Sequence, residues 1–153
     1  MRVNLSLFLF VCWFFGIVFL SSCVKEPDYC KDFNRLSIIE RKEAVRKNSI
    51  ETNFALIRCS YYTEGGPVIA DEPIIEAGQS SVPFLLSKLE ESKDEDEQER
   101  AISLLLDIDI NKNLQNRAEI ISKIEQTVNR MKNESKKQYS LEMLNKMKGE
   151  KVP

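Results

Sequence analysis

The sequence predicts an all-α fold: antiparallel helical hairpins forming a short α-solenoid or an irregular bundle. Two observations lead there. From about residue 34 onward, apolar residues recur every three or four positions, which is the period of one helix face. The breaks between these stretches are short and carry residues that end or start helices, among them Asn48-Ser49, Gly78, Pro83 and Asn133-Glu134-Ser135.

The first 22 residues stand apart. Leu5 to Leu20 is a 16-residue apolar run, preceded by Arg2 and with no acid before Glu26. A positive start, a short apolar core and small residues after it make a secretory signal. The run is shorter than the ~20 residues needed to span the hydrocarbon of a bilayer. It ends on Leu20-Ser21-Ser22-Cys23. These four residues resemble the lipobox of bacterial lipoprotein precursors: an aliphatic residue, two small residues, then cysteine. The resemblance implies cleavage between Ser22 and Cys23 and a lipid on the Cys23 sulfur, so the partner at this end is a membrane. It further implies an outer-membrane location in a two-membrane host, because Val24 rather than Asp follows the cysteine. The expected organisation is a signal peptide over 1–22, a lipidated cysteine and tether over 23–33, and a helical domain over 34–149.

The whole chain has 22 basic and 24 acidic side chains. Losing Arg2 leaves 21 against 24, a net of −3. That balance offers nothing to a nucleic acid, whose binding is dominated by phosphate neutralisation. After the signal and Cys23, only Cys30 and Cys59 remain. Two exported thiols without another partner favour one disulfide. The alternative makes Cys59 a small core residue and Cys30 a free thiol in the linker.

The helices follow in order. Val24 to Asp32, with Pro27, reads as tether. Leu36, Ile39 and Val45 predict a first helix over 34–47, and Ile50, Phe54, Ile57 and Tyr61 a second that starts behind Ser49. Thr63 to Pro73 interrupts the pattern, with a turn at Gly65-Gly66-Pro67. No Gly-Lys-Ser/Thr follows that turn, so it is no phosphate loop. Tyr61, Tyr62, Val68 and Ile69 around the interruption form a possible interface for a protein partner, or else finish the core. Val82, Leu85, Leu86 and Leu89 then make one stripe, and Ala101, Leu104, Leu105 and Ile108 the stripe facing it. Ile120, Ile121, Ile124, Val128 and Met131 mark a helix over 114–132, and Leu141, Leu144 and Met147 a last one.

Residues 74–108 resemble a HEAT-type repeat, in which a glycine ends one helix, a small or apolar residue and a proline open the next, and leucines recur through two antiparallel helices. Gly78 suits the left-handed end of a helix, and Pro83 the first turn of the next, where its missing N–H costs nothing. The signature occurs once, so the flanking helices are expected to act as caps.

The chain has no histidine. That removes the commonest general base, the Ser–His and Cys–His dyads and the usual zinc sites. No cofactor or metal is expected. Asp107-Ile108-Asp109-Ile110-Asn111 imitates the opening of a calcium loop, but Lys112 and Ala118 stand where glycine and glutamate are required. Glu90, Glu91, Asp94, Glu95, Asp96, Glu97 and Glu99 are expected to form a solvated hairpin tip. The expected function is a non-catalytic, envelope-anchored module that binds or scaffolds a protein partner. The alternative is an inhibitor or immunity lipoprotein that blocks an exported hydrolase or toxin with the acidic tip.

Overall fold

The computed structural model describes residues 27–59 and 69–149. Within them the chain is helical, with no strand and no helix long and apolar enough to cross a membrane. Helix α1 (Asp28–Arg35) starts behind Pro27 and buries Cys30. Helix α2 (Ile38–Lys47) buries Val45, and α3 (Ile50–Ile57) buries Asn53, Phe54, Leu56 and Ile57.

The predicted tether and first helix are corrected here. The chain is already helical from Asp28, and the helix expected over 34–47 begins at Ile38. The cause is a capping box. The Ser37 hydroxyl accepts from the Glu40 N–H, while the Glu40 carboxylate accepts from the Ser37 N–H at 2.8 Å. Those bonds satisfy donors that a helix leaves open at its start. Leu36 is extended, and Arg41 secures the corner by donating from Nε to the Leu36 carbonyl at 2.9 Å. Ser49 caps α3 by accepting from the Thr52 N–H at 3.2 Å. Buried Asn53 then donates to the Val45 carbonyl at 2.8 Å, which fastens α3 to α2.

Helix α4 (Glu72–Ala77) opens with Pro73 and ends at Gly78, whose φ of +57° strains any residue with a Cβ. A 3-10 turn over Gly78–Ser81 leads into α5 (Val82–Glu91), with Pro83 in its first turn as expected. Helix α6 (Glu95–Lys112) returns beside α5 after a three-residue link. Asn113 and Asn116, both at positive φ, turn the chain into α7 (Arg117–Arg130). Asparagine tolerates that region better than most residues. The helix expected over 114–132 is therefore shorter at both ends, and Leu114 plugs the link as a buried residue. Helix α8 (Glu134–Lys148) ends the fold.

The packing is that of two stacked hairpins. Helix α5 packs on α6 and α7 on α8, while α5 also meets α7 and α6 meets α8. Helices α3 and α4 continue the stack on one side: α4 packs on α6, and the Phe54 ring meets Phe84 edge-on at 5.4 Å. Leu85, Leu89, Ile102, Leu105, Ile108, Ile120, Ile124 and Val128 fill the centre. Both facing stripes are buried as predicted, except that Leu86 is only partly covered. The last helix is corrected by one position. Leu141 is exposed, and the inward stripe runs through Ser140, Met143, Leu144 and Met147, which share one side of the helix.

Candidate functional site

Cys30 and Cys59 are joined by a disulfide, with Cα atoms 5.0 Å apart, and both are fully buried. The bridge ties α1 to the end of α3. Ser22 and Cys23 lie outside the described residues, as do Tyr61, Tyr62 and Val68. Ile69 is described and only 8% exposed, so its side chain belongs to the interior and is not offered to a partner.

The acidic stretch 90–99 is not a free, solvated tip. Glu90 and Glu91 end α5, and Glu95, Asp96 and Glu97 form the first turn of α6, where the helix dipole favours negative charge. Asp94 caps α6 by accepting from the Asp96 N–H at 2.9 Å and also holds Arg58 Nη2 at 3.1 Å. Glu97 meets Lys88 at 3.3 Å, Asp96 meets Lys136 at 2.7 Å, and Glu90 meets Lys123 at 2.7 Å. Glu95 accepts from the backbone N–H groups of Lys132 and Asn133 at 2.7 and 3.0 Å. Those two bonds hold its carboxyl below the usual range. The stretch is therefore a knot that joins α3, α5, α6, α7 and α8.

A second group of acids lines a cleft beside α6. Along α6, Asp96, Glu99, Arg100, Ser103 and Asp107 recur on one side of the helix. With Asp71 before α4, Ile57 at the end of α3 and Tyr139 on α8, they line an open cleft of about 200 Å³. Burial raises the Asp71 carboxyl, with nearby Asp107 and Glu72 adding repulsion. Burial also raises Glu99, helped by Asp96 and opposed by Lys136 and Arg100, and it alone raises Asp107. Among the described residues, Asp71, Glu99 and Asp107 form no ion pair.

Arg100 sits among these acids, only 8% exposed, with its guanidinium 5.3 Å from the Phe54 ring centre, while Lys136 reaches Asp96 from α8. Its Nε and Nη2 are buried and have no hydrogen-bond partner. A buried donor left unpaired costs about 1–3 kcal/mol, more for a charged group. Arg100 is thus held by the surrounding field and the aromatic face rather than by bonds. The cleft keeps a surplus of negative charge under partial desolvation, where an added cation is attracted more strongly than in open water. Sequence reasoning missed it. The α6 side could have been found from the i, i+3, i+4, i+7 spacing of polar residues, whereas Asp71 and Phe54 reach it only through the fold.

Two wider grooves, each about 380 Å³, run between α5 and α7 and beside the C-terminal end of α6. Among the described residues, no group of three or more His, Cys, Asp or Glu side chains is placed to hold a metal ion. Asp107, Asp109 and Asn111 lie within α6 rather than in a loop, and Asp109 is paired with Arg117 at 2.8 Å. Compared with protein-family models, with curated proteins and with solved structures, the chain matches none.

Proposed function

We propose that the chain is a lipid-anchored envelope protein whose HEAT-like helical domain binds a protein partner and performs no catalysis. The partner places a lysine or arginine side chain in the cleft between α4, α6 and α8. The observation that carries the reading is the set of three carboxylates, Asp71, Glu99 and Asp107, on one cleft with no ion pair to another described residue, beside a buried arginine that makes no hydrogen bond through Nε or Nη2. Burial raises all three carboxyls, so a cation entering the cleft relieves part of the desolvation that their charged forms bear.

The anchor rests on Leu20-Ser21-Ser22-Cys23, and a fully buried Cys30–Cys59 bridge suits the oxidising compartment such an anchor implies. An inhibitor of an exported basic toxin or hydrolase is one form of the same binding. It would use the cleft, because the acids of the 90–99 stretch already hold Arg58, Lys88, Lys123 and Lys136.

The test has two parts. The intact mass of membrane-extracted protein should begin at Cys23 and include acyl chains; a soluble chain retaining Met1 removes the anchor. A photo-crosslinker at Ser103, on the cleft wall, should trap a protein in the envelope, and Asp71→Asn with Asp107→Asn should abolish that adduct. An adduct indifferent to both substitutions, or none at all, removes the cleft as the contact.

A further inference from the structure

We propose that the outer face of α2 is a second membrane contact, resting Ile38 and Ile39 in the headgroup layer of the bilayer that carries the Cys23 lipid. The inference rests on the lipid-anchor reading above and adds an orientation to it.

The first support is exposure. Ile38 is 53% and Ile39 68% exposed, and Tyr29 on α1 is 46% exposed. These are three of the six large apolar side chains left in solvent among the described residues, and they fall within eleven positions of one another. Helix α2 buries only Val45, with Arg41 and Ala44 half-covered beside it, so its other side is exposed among the described residues. Ile39, Lys42, Glu43 and Arg46 lie on that side by their i, i+3, i+4, i+7 spacing, and Ile38, seven positions before Val45, borders it at the exposed first turn.

The second support is reach. Only residues 24–27 separate Cys23 from the start of α1. A chain extends at most ~3.3–3.6 Å per residue, so α1 begins within about 18 Å of the acylated residue. The disulfide fixes α1 to the domain, so whatever holds α1 near the surface holds the domain near it as well.

The third support is charge. Residues 28–47 carry Lys31, Arg35, Arg41, Lys42, Arg46 and Lys47 against Asp28, Asp32, Glu40 and Glu43, a net of +2. Residues 48–149 carry 13 basic and 18 acidic side chains, a net of −5. The end of the domain nearest the anchor is thus the basic end, and anionic headgroups attract it while repelling the rest. Glu40 is already occupied by the Ser37 cap, which leaves Lys42, Arg46 and Lys47 against Glu43 on the exposed side, a net of +2. An exposed isoleucine pair followed by basic residues matches the two layers of a bilayer surface, apolar beneath and anionic above.

The chain has one tryptophan, Trp13, within the segment removed with the signal, so a tryptophan placed at position 39 reports alone. Lipidated protein carrying Ile39→Trp is reconstituted in vesicles of phosphatidylethanolamine and phosphatidylglycerol with brominated acyl chains. Ile110→Trp, at an equally exposed site on α6, is the reference. Position 39 should lose the larger part of its emission while position 110 keeps its own. Lys42→Gln, Arg46→Gln and Lys47→Gln should each weaken the hold of the face about fivefold, restoring emission at position 39. Equal quenching at 39 and 110 would overturn the inference. So would unquenched emission at 39, including a blue shift that depends on protein concentration, which marks a second copy as the occupant. The intact mass of the same sample reports acylation independently. A chain without acyl groups is a failure of the anchor, and an acylated chain with position 39 in water is a failure of the face.

Discussion

Reducing the Cys30–Cys59 bridge should cost this domain about 3.6 kcal/mol. The two cysteines are 29 residues apart in sequence. In the chain-entropy model, closing a loop of that length removes about 12 cal/mol/K from the unfolded state, which gives about 3.6 kcal/mol at 25 °C. For a domain of this size each kcal/mol moves the melting temperature by about 4 °C, so the fall should be about 14 °C. The loop contains all of α2 and α3 and most of α1, so it constrains the least densely packed part of the fold. Helix α1 contributes one buried residue, Cys30 itself, and α2 also only one, Val45. The assay is helical circular dichroism against temperature, with and without a phosphine reductant, and with Cys30→Ala/Cys59→Ala as the covalent check. If α1 and α2 release without the remainder melting, the fall is smaller, and trypsin should cut after Lys31, Arg35, Arg41 or Lys42 only in reduced protein. A melt unmoved by reduction, together with unchanged protection of those sites, would refute the reasoning.

Other perturbations separate binding from stability. Arg100→Met removes two buried donors that have no partner and the positive charge that opposes an incoming cation, and should leave the melting temperature unchanged or raised and the Ser103 adduct intact or stronger; a loss above ~1 kcal/mol in urea unfolding would make Arg100 a structural residue instead. Burial raises the Asp71 and Asp107 carboxyls, so their ionisation opposes folding above their raised values and has no effect below the ordinary 3.8. The double Asn variant should therefore melt higher than wild type at pH 7, with the two converging below pH 3.8, as followed by melts across pH. Glu40, Glu51 and Glu95 carry the opposite sign: hydrogen bonds hold them low, so their contribution is present at neutral pH and lost as pH falls through those lowered values. Leu105→Ala, at a fully buried position of α6, should cost about 2–5 kcal/mol by urea unfolding.

The parts of the fold legible in the sequence are those whose reasons are local. Helices α5 and α6 announce themselves by apolar periodicity, and Gly78 and Pro83 mark a real break because backbone geometry at that corner requires them. Ser49 is readable for the same reason. Helix α1 escaped because two turns hold too little periodicity to tell from a tether, and because Cys30 is drawn inside by a cysteine 29 residues away. The start of α2 was present in the Ser37-x-x-Glu40 pattern, yet the apolar spacing of Leu36 and Ile39 ran across it. The acidic stretch was misjudged for a nonlocal reason. Its charges look solvated along the chain, while Arg58 and the backbone at Lys132 and Asn133 arrive from 36 to 38 residues away. The cleft was hidden by the same limit. Its α6 wall is a regular polar face, but only folding sets Asp71 against it and Phe54 behind Arg100.

Helix α3 connects the two surfaces proposed here. At its start Asn53 holds the Val45 carbonyl of α2, and at its end Ile57 lines the cleft, Arg58 holds Asp94 and Cys59 carries the bridge to α1. An eight-residue helix thus fixes the basic end of the domain, with its proposed membrane face, relative to the acidic cleft. The charge division follows the same line. The acids of the 90–99 stretch that hold cations brace the helices and cancel internally, whereas Asp71, Glu99 and Asp107 line the cleft without an ion pair among the described residues. A partner drawn to that charge would meet the domain away from α2, leaving α2 free to face the bilayer. Both surfaces can be occupied together only while α3 keeps them apart, which makes the Cys30–Cys59 bridge a constraint on orientation as well as on stability.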